Sequence, residues 1–353
     1  MDIGLIGVQR SGKTTIFNLL THAQVDTSRF GKAESRRGWA AVPDERLSWL
    51  ASLYHPKKVT PAQLQVIDVP GLAHGESDGP NRFLNDVRLV DALIHVVRAF
   101  PSDLGEDPHP RVDLEDMELE IGLSDLDLVE KRQARIKAGK KVTAEHKHEL
   151  ELLEQLHQVL EAGERLDQLS LSDEDRRLLS GYQFLTLKPM LWLINVDEKN
   201  FRSGQWPDRS AIEAMARQKN IPLVLMAGAL EQEIQELDDA DREEFMRDLG
   251  VQETGTARLA QASYQHLGLI SFLTAGEDEV RAWTIANGTV AKEAAGKIHS
   301  DIERGFIRAE VVAFADLKQA GTMLKAREQG LVRLEGKDYR MQDGDVVNFR
   351  FNV

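Results

Sequence analysis

The sequence predicts an α/β fold: an open parallel sheet, interrupted by an inserted helical hairpin and followed by a small α+β module. Three observations predict it. Short apolar runs at Asp2–Ile6, Leu64–Ile67, Ala92–Val97, Pro189–Ile194 and Ile221–Met226 alternate with helical patterns, as buried parallel strands joined by helices do. From Asp113 to Leu179 that rhythm gives way to Leu119, Leu123 and Leu126, then Leu152, Leu156, Val159 and Leu166, at three-four spacing with charges between them. That pattern fits two helices folded back on each other as an antiparallel coiled coil, turning near Gly139. After Leu269 the chain reads as short strands and turns around one helix over Thr289–His299. The expected domains are residues 1–112 with 180–269 for the sheet, 113–179 for the hairpin and 270–353 for the C-terminal module.

The first strand leads directly into Gly7-Val8-Gln9-Arg10-Ser11-Gly12-Lys13-Thr14, and Thr15–Leu20 continues with apolar residues at helical spacing. Strand, glycine loop and helix complete the G-x-x-x-x-G-K-[S/T] phosphate-binding loop. Backbone N–H groups and a helix N-terminus surround an anion, Lys13 adds a positive charge, and the Thr14 hydroxyl can ligate Mg²⁺. The expected nucleotide contacts here are Gln9, Arg10, Ser11, Gly12, Lys13, Thr14 and Thr15.

At 353 residues the chain has room for about two or three domains. A hydrophobic content of 42% with 29% charged residues is that of an ordinary globular protein. No apolar run approaches the roughly 18–20 residues that span a bilayer, and with a strand at Asp2 no signal peptide is expected. The absence of cysteine excludes disulfides, thiolate zinc sites and cysteine nucleophiles, and fits a reducing cytoplasm. A net charge of −14 argues against a nucleic-acid interface spread over the whole surface.

Between the loop helix and the next motif, Ser28–Gly38 is polar and glycine-punctuated, and reads as a loop. Trp39–Val42 follows as a strand, and Asp44 as the cap of a helix. The run Leu64–Ile67 ends in Asp68-Val69-Pro70-Gly71. An acid at such a strand tip holds the Mg²⁺ shell, and the glycine N–H can sense a γ-phosphate. His74–Pro80 is a second loop, a helix is expected near Arg82–Leu89, and His95 lies in an apolar strand as a hydrogen-bonded core residue. From Lys131 to His148 there are seven Lys or Arg and one acid, Glu145. Arg135, Lys137, Lys140 and Lys141 therefore form either an electrostatic footprint for RNA or a solvated hairpin end.

These motifs, with Pro56-Lys57-Lys58-Val59, Asn195-Val196-Asp197-Glu198, Arg281–Ile285, Ala294–Asp301, Glu303–Val311 and Glu335–Tyr339, are spread over essentially the whole chain. In them the sequence resembles the YchF (Obg-like ATPase) family. The resemblance implies a P-loop G domain, an inserted coiled coil and a C-terminal TGS (β-grasp) domain. It implies ATP as substrate, Mg²⁺ as cofactor, and the ribosome or ribosomal RNA as partner, reached through the basic tip and a TGS module of unknown ligand. Asn195, Val196 and Glu198 would read the base, with Ala227 and Gly228 beside it. Guanine readers use N-K-x-D, whose Asp accepts both N1–H and N2–H₂ of guanine. Here Glu198 stands one methylene longer and the Lys is absent, while Asp197 keeps a slipped guanine reading open.

The chain also departs from the family pattern. Gln9-Arg10-Ser11 replaces Pro-Asn-Val, Lys32 stands where a Thr ligand is expected, and Ala227 stands where a Ser contacts the base. Leu72 occupies the place of the water-orienting Gln, leaving His74 either to position water or to be an ordinary loop histidine. The expected activity is slow ATP hydrolysis in a nucleotide-controlled switch. The alternatives are a GTPase of the same architecture and a scaffold that binds nucleotide without hydrolysing it.

Overall fold

The computed structural model describes residues 1–25, 35–69, 87–102, 105–139 and 143–352. Two compact units form, Met1–Gly38 with Gln65–Arg258, and Trp39–Leu64 with Leu259–Val353. Trp39–Leu64, expected in the sheet domain, thus belongs with the C-terminal segment.

The first unit carries a six-stranded sheet of order β2-β4-β1-β5-β6-β7, although Trp39–Val42 of β2 and Ala62–Leu64 of β4 are counted with the second unit. Its strands are β1 (Asp2–Ile6), β2 (Arg36–Val42), β4 (Ala62–Asp68), β5 (Ala92–Ala99), β6 (Met190–Val196) and β7 (Leu223–Met226). β3 (Lys58–Thr60) lies in the other sheet. β4, β1, β5, β6 and β7 pair in parallel along this row. β6 is buried at every residue, as a central parallel strand covered on both faces must be. Helix α1 (Lys13–Thr21) buries Ile16, Phe17, Leu19 and Leu20. On one face of the sheet Ile6, Leu93, Val97, Trp192 and Ile194 form a continuous core with Leu114, Met117 and Ile121.

Those last three residues belong to α3 (Pro110–Lys137), which runs on from the sheet to form a hairpin with α4 (Ala144–Glu161). The inserted helical hairpin expected between β5 and β6 is present, but the face that α3 buries differs from expectation. It buries Leu114, Met117, Ile121, Asp125, Val129, Gln133 and Ile136, whereas Leu119 and Leu123 are 59% and 51% exposed. The inward stripe passes through two polar residues, so counting leucines selects the wrong side. Asp125 is fully buried and accepts hydrogen bonds from Arg88 at 2.9 Å and from the Thr186 N–H and hydroxyl at 2.7 and 2.8 Å. These contacts satisfy a carboxylate that burial would otherwise make costly.

The second unit carries a mixed sheet of order β11-β10-β12-β8-β9-β3, made of β8 (Leu269–Ala275), β9 (Glu279–Ala286), β10 (Phe306–Ala313), β11 (Arg333–Glu335), β12 (Asp345–Phe351) and the parallel edge strand β3. Its core gathers Phe272, Ile285, Ala294, Ala295, Val311, Val347 and Phe349. The α+β character matches expectation. The single expected helix forms over Ala291–Ile298, and three further short helices occur at Ser300–Arg304, Phe314–Ala320 and Met323–Glu328. Asp44 caps α2 (Glu45–Tyr54) as expected, accepting from the Arg46 N–H at 3.0 Å.

Candidate functional site

The C-terminal ends of β1, β4, β6 and β7 bring together most of the described candidate residues. In an open parallel sheet, ligands bind at this edge. The loop after β1 depends on glycine at two places. Gly7 has φ 146° and Gly12 has φ 96°, and a Cβ on them would collide with the Val96 carbonyl and the Asn195 amide, respectively. Arg10 adopts left-handed φ 61° as well, a conformation that costs a non-glycine residue about 1 kcal/mol or more. Gln9 and Arg10 are exposed; Thr15 is half-buried on the first turn of α1.

Lys13 is buried, and its ammonium donates to the carbonyls of Gly7 at 3.0 Å and Val8 at 2.7 Å. Burial lowers its pKa to about 8, with Asp68 pulling the other way. The Thr14 hydroxyl donates to Asp68 Oδ2 at 2.9 Å. Burial also raises the Asp68 pKa, opposed by that hydrogen bond and by the Lys13 charge. A hydroxyl and a carboxylate in contact at a helix N-terminus are hard oxygen donors of the kind magnesium takes. Among the described residues no group of three or more His, Cys, Asp or Glu could hold a metal by itself. Thr14 and Asp68 therefore fit as two protein oxygen donors to such an ion.

Asn195 lies where the sequence reading placed a base contact, yet its amide is engaged within the protein. Nδ2 donates to the Ser11 carbonyl and Oδ1 accepts from the Gly228 N–H, each at 3.0 Å. Val196 and Ala227 are buried beside it. Asp197 is spent as the N-cap of helix Glu198–Ser203, accepting from the Asn200 N–H at 2.7 Å. Glu198 is exposed and pairs with Arg202 at 2.7 Å. Gly71, Leu72 and His74 lie outside the described residues, as do Lys32, Lys140 and Lys141. Arg135 and Lys137 are exposed on the last turn of α3, while Lys131 and Arg132 are committed to Asp127 and Glu149.

Comparison with known proteins decides the family. Residues 2–131 match a family described as 50S ribosome-binding GTPase, and residues 269–352 match the C-terminal family of YchF GTPases, described as a protein of unknown function. The chain is 40% identical over 363 residues to the ribosome-binding ATPase YchF of Haemophilus ducreyi, with 99% of each chain covered. It is 40% identical over 364 residues to that of Bacillus subtilis, with 100% of each covered. The chain belongs to the YchF family. The solved structure of the Schizosaccharomyces pombe YchF GTPase superposes with a TM-score of 0.88 at 30% identity, covering 99% of this chain and 97% of that one. The α/β P-loop fold with inserted hairpin and C-terminal α+β unit is thus a YchF fold.

Two features of this YchF chain were not read from its sequence. The Ser11 hydroxyl is fully buried without a hydrogen-bond partner among the described residues. His95, expected as a hydrogen-bonded core residue, is buried with neither ring nitrogen partnered there. The cause is its place in β5: its register neighbours are Ile6 and Trp192, which surround it with apolar core. Burial, with Lys13 adding to the effect, lowers its pKa to about 3, so it stays neutral. Alternation along β5 would have shown that His95 shares a face with Leu93 and Val97; no sequence signal marks the missing partner.

Proposed function

We propose that this protein is a slow, Mg²⁺-dependent ATPase that acts as a nucleotide-controlled switch on the ribosome. The observation that carries the reading is the loop itself, with a buried Lys13 held on two loop carbonyls and Thr14 hydrogen-bonded to Asp68. A triphosphate entering this edge meets the loop N–H groups and the α1 N-terminus, which favour negative charge. Lys13 exchanges its two carbonyls for β- and γ-phosphate oxygens and holds their charge in a site of low dielectric. Thr14, through its hydroxyl oxygen, and Asp68, through its carboxylate, would hold the metal. Magnesium, when bound, neutralises charge on the β- and γ-phosphates. Gly71 is the proposed γ-phosphate sensor, and His74 the group that positions water in place of the Gln that Leu72 replaces. Slow turnover follows from that replacement, because the water loses its usual orienting amide.

For the base, Asn195 sets the loop geometry, and Val196, Glu198, Ala227 and Gly228 form the surroundings. Asp197 and Glu198 each have a partner within the protein, and neither presents the preset bidentate acceptor that rewards guanine. That supports ATP. Titration of the purified protein with ATP and GTP in the presence of magnesium tests the assignment. Equal or tighter ATP binding is expected; a tenfold preference for GTP, about 1.4 kcal/mol, would overturn it.

The names of the relatives, ribosome-binding ATPases, support association with the ribosome. Arg135, Lys137, Lys140 and Lys141 would supply the contacts to ribosomal RNA, with residues 270–353 acting as a TGS module. Among the described residues no helix is long and apolar enough to cross a membrane, and a cytoplasmic setting accords with a ribosomal partner. Two other readings have specific support. The S. pombe relative bears the name GTPase, which favours GTP; the substitutions at Lys32 and Leu72 favour a scaffold that binds nucleotide without turnover.

A further inference from the structure

The hairpin helix α3 is apolar on two opposite faces. Its inward face is covered by the sheet and by α4. On its outward face Val112 is 51% exposed, Leu119 59% and Leu123 51%. At 100° per residue these three side chains fall within about 40° of one another, and they span about 16 Å of helix. Isolated exposed aliphatic residues need no explanation, but a row of them on one face marks a contact surface.

The flanks of the row are acidic. Asp116, Glu120 and Asp127 lie along one side, Glu115 along the other and Glu130 at the end toward the hairpin tip. Glu115 is paired with Arg111, Asp127 with Lys131, and Glu130 faces His157 at 3.5 Å. Asp116 and Glu120 have no ion-pair partner among the described residues. The helix is therefore divided electrically, with an acid-flanked apolar row at its root and cations at its tip, where Arg135 and Lys137 are exposed.

We infer that the outward face of α3 over residues 112–123 docks a basic amphipathic helix of a partner protein. Its apolar side would cover Val112, Leu119 and Leu123, and its flanking Lys or Arg would meet Asp116 and Glu120. This is the groove-free form of helix recognition through apolar anchors at i, i+7 and i+11 with charge pairing at the rim. Charge decides between occupants. RNA or an anionic lipid surface would be repelled by the acids. A second copy of the chain, packed on itself through this face, would bring like acids together. The surface is separate from the nucleotide site, and the inference does not rest on the reading of that site.

The test uses the full-length protein and a labelled designed 18-residue helix with leucines along one side and lysines flanking them. Fluorescence anisotropy should show saturable binding that a Leu119→Gln/Leu123→Gln double variant weakens by tenfold or more. High salt should weaken it too, and the same peptide with glutamates in place of lysines should not bind. The variant should retain the nucleotide affinity of the parent protein, because both changes are on the surface. Equal binding to parent and variant would overturn the proposal, as the peptide would then sit elsewhere. So would parent self-association in sedimentation velocity that the two substitutions abolish, since the occupant would then be a second copy. Displacement of the peptide by an equimolar short RNA duplex would overturn it as well.

Discussion

Asn195 Nδ2 donates to the carbonyl of Ser11 at 3.0 Å across 184 positions of sequence, while its Oδ1 holds the Gly228 N–H at the same distance. One buried amide thereby ties the phosphate loop to the ends of β6 and β7. Asn195→Ala leaves a buried carbonyl and a buried N–H without partners, which costs about 1–3 kcal/mol for each such group. The protein should unfold at lower denaturant, and ATP and GTP affinity should fall by a similar factor, on the order of tenfold, about 1.4 kcal/mol. Loss confined to one base would make Asn195 a base contact instead.

Lys13 should report nucleotide binding through its proton. Its folded pKa of about 8 lies below the ordinary 10.5, so in the empty protein it contributes stability that grows as pH rises through that interval. Phosphate oxygens beside the ammonium raise its pKa again. At pH 8.5 nucleotide binding should therefore take up a fraction of a proton. Calorimetry in two buffers of different ionisation enthalpy measures that uptake; proton release would contradict the account.

His95 makes the opposite end of the pH scale informative. Its folded pKa of about 3 lies below the unfolded 6.5. The unfolded chain therefore binds the extra proton, and stability falls as pH drops below 6.5. At pH 5 this amounts to about 2 kcal/mol. Denaturant titrations of His95→Leu should show a flatter profile from pH 7 to 5 than the parent protein. An unchanged slope would mean that His95 finds a partner on protonation.

The tip makes a prediction that depends on salt. Removing one phosphate contact lowers the slope of log affinity against log salt by about 0.7–0.9. Reversing Arg135 and Lys137 to Glu should weaken ribosomal RNA binding and reduce that slope, with nucleotide affinity unchanged. No loss at low salt would leave the tip as a solvated helix end.

Much of the nucleotide edge was legible in the sequence because the phosphate loop imposes local demands. Only glycine suits φ 96° beside the Asn195 amide at Gly12, and Lys13 and Thr14 must follow at fixed spacing. The strands were legible for the same reason, as apolar runs with few alternatives. What escaped was set by distant packing. Asn195 as a brace requires knowing that Ser11 and Gly228 meet. The buried stripe of α3 includes Asp125 and Gln133, and their partners lie far along the chain. The association of Trp39–Leu64 with the C-terminal unit rests on β3 pairing with β9 and on α2 packing against β8 and β9, which the local sequence does not reveal.

The central claim is hydrolysis by the loop that Lys13 anchors, and multiple-turnover phosphate release from ATP and magnesium tests it most directly. Slow but repeated turnover that Lys13→Ala abolishes is the expected result. Tight ATP binding with no release beyond a single turnover would contradict it.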